Sequence, residues 1–176
     1  MRVGISVTMN RSDLLRHTFG MLLLSLDEFL HPVLLNGLLN NAGRKLGRDT
    51  STRYRLTRKK KSESCTPMGY VRAMTAGEIW SAEPTTVTPN LIRFVIHSLP
   101  TLNHNGALPP IISGFFGSAA AIWFGTARVV VSPGPKKERP TYRVSVYLGE
   151  AIHSQKEGDL YPGPESASAG KTVRVR

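Results

Sequence analysis

The chain has 176 residues and a formal net charge of +11, with 40% hydrophobic residues, 16 glycines and 12 prolines. That length suits one domain with tails and is short for two, and the apolar share excludes a wholly unfolded polyelectrolyte. The single cysteine, Cys65, excludes an internal disulfide framework, and five histidines without C-x-x-C or H-x-x-x-H spacing give no metal-binding pattern.

In chain order, Val3, Ile5 and Val7 alternate with Gly4, Ser6 and Thr8, the period of a half-buried strand, so residues 1–11 read as a strand or a terminal tail. This opening has no continuous apolar run or cleavage site and does not read as a secretory signal, which leaves the Asn10-Arg11-Ser12 sequon idle. Ser12, as an N-cap with Asp13 in the first turn, starts a Leu-rich helix expected to end at Leu24. A second helix is expected from Asp27 to Leu39, with Pro32 in its opening turn.

Charge then concentrates. Arg44, Lys45, Arg48, Arg53, Arg55, Arg58, Lys59, Lys60 and Lys61 face only Asp49 over residues 44–61, which accounts for most of the net charge. Gly43 and Gly47 stand about one helical turn apart and allow a close backbone approach. Residues 53–66 read as a solvated basic loop. The patch Arg53, Arg55, Arg58, Lys59, Lys60 and Lys61 suits a polyanion or an anionic membrane face. Only Tyr54 interleaves with it, so a stacking platform for single-stranded nucleic acid is not indicated.

Further along, 69–80 suggests a short helix, and Pro84 and Pro89 bracket a turn-rich connection. Leu91–His97 then places Ile92, Phe94 and Ile96 on one strand face, and a loop is expected over 98–110. From Ala107 to Ala127 no residue carries a formal charge, a length that can cross a bilayer core of about 30 Å. Pro109, Pro110, Ser113, Gly114, Gly117 and Ser118 dilute that stretch, and no basic cluster flanks its start.

On a helical wheel Gly114, Gly117, Ser118, Ala121 and Gly125 form a small stripe opposite Ile112, Phe115, Phe116, Ile122 and Trp123, the pattern of a helix buried on two sides. Ala127, Val129 and Val131, a Pro/Gly turn, then Tyr142, Val144, Val146 and Leu148 read as a hairpin that follows immediately, too close for the helix to span a membrane. The expected fold is therefore α/β (α+β): N-terminal helices on a small antiparallel sheet, with a buried C-terminal helix followed by a β-hairpin. Residues 12–150 form the single domain, and the apolar-poor 151–176 are expected to be a disordered tail.

The order helix with LLNNAGRKLGRD, strand LIRFVIHSLP, small-residue helix IISGFFGSAAAIWFG, strand TARVVV and strand TYRVSVYLGEAI resembles the small core subunits of the transport protein particle (TRAPP), an α/β family related to the 4-vinyl-reductase domain. For the family's G-x-x-x-G-x-R helix the chain offers Gly43 and Gly47, with Arg44 and Arg48 one place out of register. Gly114, Gly117, Ala119 and Ala120 fall where the family's buried helix has small residues. The RKKK run is foreign to the family, and 53–75 is poorer in apolar residues than its central helices.

The resemblance implies a non-enzymatic subunit, without cofactor, of a vesicle-tethering complex peripheral to ER and Golgi membranes. Its partners would be other TRAPP-like subunits and, through the assembled complex, a Rab-type GTPase. It also implies that Gly114, Phe115, Phe116, Gly117, Ala121 and Trp123 form a core or interface helix, and that Cys65 falls near an acylation position of some members.

Other functions start from the same residues. A 4-vinyl-reductase-like sensor would hold a small apolar molecule between the Gly114 helix and the sheet, and a basic membrane- or nucleic-acid-associated protein would use the Arg53–Lys61 patch. SAGKT, ending at Thr172, fails as a phosphate-binding loop because Glu165 stands where a glycine is required, and His97, His104 and His153 lack a carboxylate close in sequence.

Overall fold

An alternating segment has one apolar face to bury, and among the described residues three such segments and two shorter or irregular strands pair into one antiparallel sheet. In this computed structural model, which describes residues 21, 25, 28–57 (of 55–57 the backbone alone), 66–76, 80–97, 108–134 and 141–163, the strands are β1 Ser81–Val87, β2 Leu91–His97, β3 Ala127–Pro133, β4 Thr141–Leu148 and β5 Asp159–Tyr161, in the order β1-β2-β4-β3-β5. Val146 lies opposite Ile92 on one side and Val129 on the other, and Val144 likewise between Phe94 and Val131. Those residues, with Ile96, Ala127 and Leu148, line the face that the alternation in β2, β3 and β4 identifies as apolar.

The helices are α1 Pro32–Thr57, α2 Pro67–Thr75, α3 Leu108–Phe124 and α4 Ala151–Ser154. α3 lies on the apolar face, with the Phe116 ring 5.0 Å from that of Phe94, and α1 packs chiefly against α3. Thirteen of the 17 residues of α3 are buried, so protein covers it on two sides and its lack of charge follows from that burial. Each fully buried large side chain contributes about 1.5–3 kcal/mol. The helix stops at Gly125, whose φ of 86° is the left-handed conformation that glycine adopts without strain. Among the described residues no helix is long and apolar enough to cross a membrane. The mixed α/β class and the hairpin read from the sequence are those observed.

Several boundaries differ from the expectation. The helix expected over 27–39 begins at Pro32 and runs on to Thr57, about 39 Å at 1.5 Å per residue. Gly43, Gly47, Arg53 and Arg55 therefore lie on a helix, and the basic segment is not a loop from residue 53. The Thr50-Ser51-Thr52 cluster resembled a loop locally, but Ser51 is fully buried on the inner side of α1, and tertiary packing outweighs its weak propensity. Residues 58–65, with Arg58, Lys59, Lys60, Lys61 and Cys65, lie outside the described residues, as do residues 1–11 and most of the first expected helix.

α2 is shorter than expected and starts where Thr66 Oγ1 accepts a hydrogen bond from Gly69 N at 3.1 Å. The supposed turn region around Pro84 is strand β1, largely exposed at the sheet's edge, where a proline withdraws no necessary donor; the register shifts between Pro84 and Thr86.

The tail is corrected more substantially. Residues 151–163 are ordered: α4 forms after the β4 turn, and β5 pairs with β3, Tyr161 opposite Ala127 and Asp159 opposite Val129. Tyr161 is 2% exposed, its ring filling the space that the absent side chain of Gly117 leaves. Three residues are too few to register a period, which is why the strand was not visible in the sequence. Replacing Tyr161 by Ala is therefore expected to cost about 3–5 kcal/mol, the range for emptying a large aromatic site. Urea unfolding measures it, and an unchanged midpoint would mean that this segment is dispensable.

Candidate functional site

Where α1 crosses α3, the two helix backbones approach closely. A Cβ on Gly43 would fall on the carbonyl oxygen of Ile111, one on Gly47 on the carbonyl oxygen of Phe115, and one on Gly114 on the carbonyl oxygen of Asn40. Backbone therefore meets backbone, and glycine is required by the close approach. The hydroxyl of buried Ser118 donates to the carbonyl of Arg44 at 2.9 Å, tying the two helices together across the contact. The same small residues read from the wheel of α3 thus receive a second helix at Gly114 and Ser118, and Tyr161 at Gly117.

A polar cluster closes one flank of the crossing. Asn40 Nδ2 donates to Tyr161 Oη at 2.8 Å and to the Pro110 carbonyl at 3.3 Å. Ser113 Oγ donates to Asp159 Oδ2 at 2.6 Å and lies 2.9 Å from Tyr161 Oη, which donates to the same carboxylate at 3.3 Å. Arg44 donates through Nε to Asn40 Oδ1 at 3.0 Å, and its guanidinium carbon sits 4.7 Å from the centre of the Tyr161 ring. Burial raises the Tyr161 phenol above its usual value; the hydrogen bonds with Ser113 and Asn40 oppose that rise, the Asp159 charge adds to it, and the Arg44 charge opposes it. None of these polar contacts was anticipated, because Asn40, Ser113, Asp159 and Tyr161 are brought together only by the fold.

The opposite end of α3 is aromatic. Tyr70 packs edge-on to Phe94, Trp123 and Phe124, and its hydroxyl donates to the Phe116 carbonyl at 2.9 Å. Phe115, Phe116 and Trp123 are all buried, Trp123 against Tyr54 and Tyr70. They are core residues and present no aromatic anchor to a partner. Phe116 also occupies the helix–sheet interface in which a sensor would hold its ligand.

Among the described residues, a run of exposed apolar side chains lies on the outer side of α1. Leu34 (62% exposed), Leu38 (53%) and Leu46 (41%) follow one another at four-residue spacing with exposed Ala42 between the last two, and Val33 is 71% exposed beside them. That ridge is about 18 Å long at 1.5 Å per residue. The sequence does not single it out, because leucines stand on both sides of the helix: Leu35 and Leu39 are buried, whereas Leu34 and Leu38 point away.

Of the basic patch, Arg53 lies exposed on α1. Among the described residues no group of three His, Cys, Asp or Glu residues is arranged to hold a metal. His97 Nε2 lies 3.4 Å from Glu83 Oε1 across β1 and β2, a half-exposed pair without hydrogen-bond geometry.

No protein-family model and no curated protein sequence matches the chain. Among solved structures it is similar to a trafficking protein particle complex subunit 3 from Naegleria fowleri covalently bound to palmitic acid, at 16% sequence identity and a TM-score of 0.48, over 78% of this chain and 99% of that one.

The crossing makes a prediction whose sign depends on position. Gly43→Ala, Gly47→Ala and Gly114→Ala each push a methyl group into backbone and should destabilise the fold by about 1–3 kcal/mol or more. Gly37, also on α1, has open space around it, so Gly37→Ala should stabilise by about 0.5–1 kcal/mol through helix propensity. Thermal unfolding of the four variants checks both signs.

A second prediction concerns alkali. Burial raises the Tyr70 phenol well above its usual value, near 10 in the unfolded chain. The neutral phenol is the folded form, so its contribution is intact below about pH 10 and lost as pH rises towards the raised folded value. Stability should fall above about pH 10, and less steeply in Tyr70→Phe, which lacks the ionising group. Urea unfolding across that range measures the slope.

Proposed function

We propose that the chain is a non-enzymatic assembly subunit that docks a helix of a neighbouring subunit on the outer face of α1. The observation that carries this is the Leu34–Leu38–Ala42–Leu46 ridge, with Val33, left in solvent by a domain that buries its other helical apolar face around α3. Contiguous apolar surface of this kind marks an interaction site, and a ridge of residues four apart is the form that fits the groove of a second helix.

The resemblance of the element order and of Gly43, Gly47, Gly114 and Gly117 to the small TRAPP subunits supports, for the kind of assembly, a complex that tethers transport vesicles at ER and Golgi membranes and, once assembled, activates a Rab-type GTPase. The subunit would contribute surface and rigidity to that complex and no chemistry of its own. The basic residues of α1 and of 58–61 would face acidic headgroups. Acylation of Cys65 belongs to the same reading.

The test is recovery of the tagged chain from its source cell. The unaltered protein should bring down a stoichiometric set of small α/β subunits, and Leu34→Asp/Leu38→Asp should lose them by at least about tenfold while its unfolding free energy stays within about 0.5 kcal/mol, as expected at exposed positions. Equal recovery by both proteins would rule out this face as the interface, and ribosomal RNA in place of subunits would rule out the assembly.

A further inference from the structure

Asn36, Asn40, Arg44, Arg48 and Thr52 form a polar row four residues apart on the flank of α1 that faces β5. Above Tyr161 this row borders a cleft of about 410 Å³, closed on its other side by Ala121 and Ile122 of α3 and by Pro162. Its lining is mostly apolar, with Arg44 and Arg48 among the residues of α1 that border it. Arg44 is fixed in place: its Nε is hydrogen-bonded to Asn40, its guanidinium lies over the Tyr161 ring, and Asn40 in turn holds the Tyr161 hydroxyl. Arg48 is exposed, one turn further on, and has no hydrogen-bond or ion-pair partner among the described residues. Asp159 lines the neighbouring cleft and not this one, and its carboxylate is already engaged by Ser113 and Tyr161.

We propose that this cleft binds an acidic peptide segment of a partner protein, a Glu or Asp carboxylate on Arg44 and Arg48 with an adjacent aliphatic side chain on Ile122 and Pro162. Two planar guanidiniums match a carboxylate's paired oxygens, and one of them needs no reordering to bind. The mostly apolar lining requires that the anion bring an apolar neighbour, which a peptide supplies and a free inorganic anion does not. A pocket that mixes few polar groups with apolar walls is the usual form of a specific site. The inference does not depend on the ridge of α1, which lies on the other flank of that helix, so the two stand or fall separately.

The test is a titration of the isotopically labelled full-length chain with acetyl-Leu-Glu-Leu-amide and acetyl-Leu-Gln-Leu-amide, followed through the backbone amides of Ser118, Ile122 and Gly163. The Glu peptide should shift these signals and bind about tenfold more tightly than the Gln peptide, the difference expected for a charge-assisted contact. Arg48→Gln should abolish that preference, whereas Lys45→Gln, on the same helix but away from the cleft, should leave it intact. Equal binding of the two peptides overturns the proposal, as does an undiminished preference in Arg48→Gln. Inorganic phosphate giving the same shifts with the same dependence on Arg48 also overturns it, because the apolar neighbour would then be irrelevant.

Discussion

The structure depends on one contact, the approach of two helix backbones at Gly43, Gly47 and Gly114. Three residues that offer no side chain let α1 settle on α3 closely enough for Ser118 to reach the Arg44 carbonyl. Because α3 is thereby covered on one side by α1 and on the other by the sheet, its aromatic residues Phe115, Phe116 and Trp123 are consumed in the interior. The polar cluster around Tyr161 then closes the flank, and the C-terminal strand is held by a ring that occupies the space above Gly117. Each of these arrangements presupposes the spacing set by the glycines.

This contact also decides which face of α1 is left in water. A long helix with one face pressed on α3 has its opposite face in water, and on α1 that face carries Leu34, Leu38 and Leu46. Leucine is a strong helix former, but three of them in solvent hold no advantage for an isolated domain. In the proposed assembly another helix would cover them, and the stiffness of the 26-residue α1 would keep the ridge straight for that purpose. The cleft beside Tyr161 is a separate, smaller surface, in which the groups that stabilise the C-terminal strand also orient Arg44.

Much of the fold is legible in the sequence where a period is long enough to register. The alternation of Ile92, Phe94 and Ile96, and of Val144, Val146 and Leu148, identifies the central strands and their buried face, and the small and bulky stripes of 111–125 identify a helix enclosed on two sides. What escapes notice has a physical cause in each case. β1 is an exposed edge strand with a proline, so neither alternation nor propensity marks it. β5 is three residues long. The continuation of α1 through Thr50, Ser51 and Thr52 is imposed by packing that residues of α3 supply from far along the chain.

The functional surface is less legible than the fold. Phe115, Phe116 and Trp123 look like interface anchors in the sequence because aromatic residues suit both cores and interfaces, and only the fold separates the two. The exposed ridge is concealed by the reverse ambiguity, since Leu34 and Leu35 are indistinguishable until the phase of α1 against α3 is known. Hydroxyl-radical labelling, free and within the complex recovered from the cell, tests the phase and the interface together. The account predicts that Leu34, Leu38 and Leu46 are labelled in the free chain and protected in the complex, while Phe115 and Phe116 are protected in both. Equal labelling of the three leucines in both states, or labelling of Phe115 and Phe116 in the free chain that disappears in the complex, would contradict it.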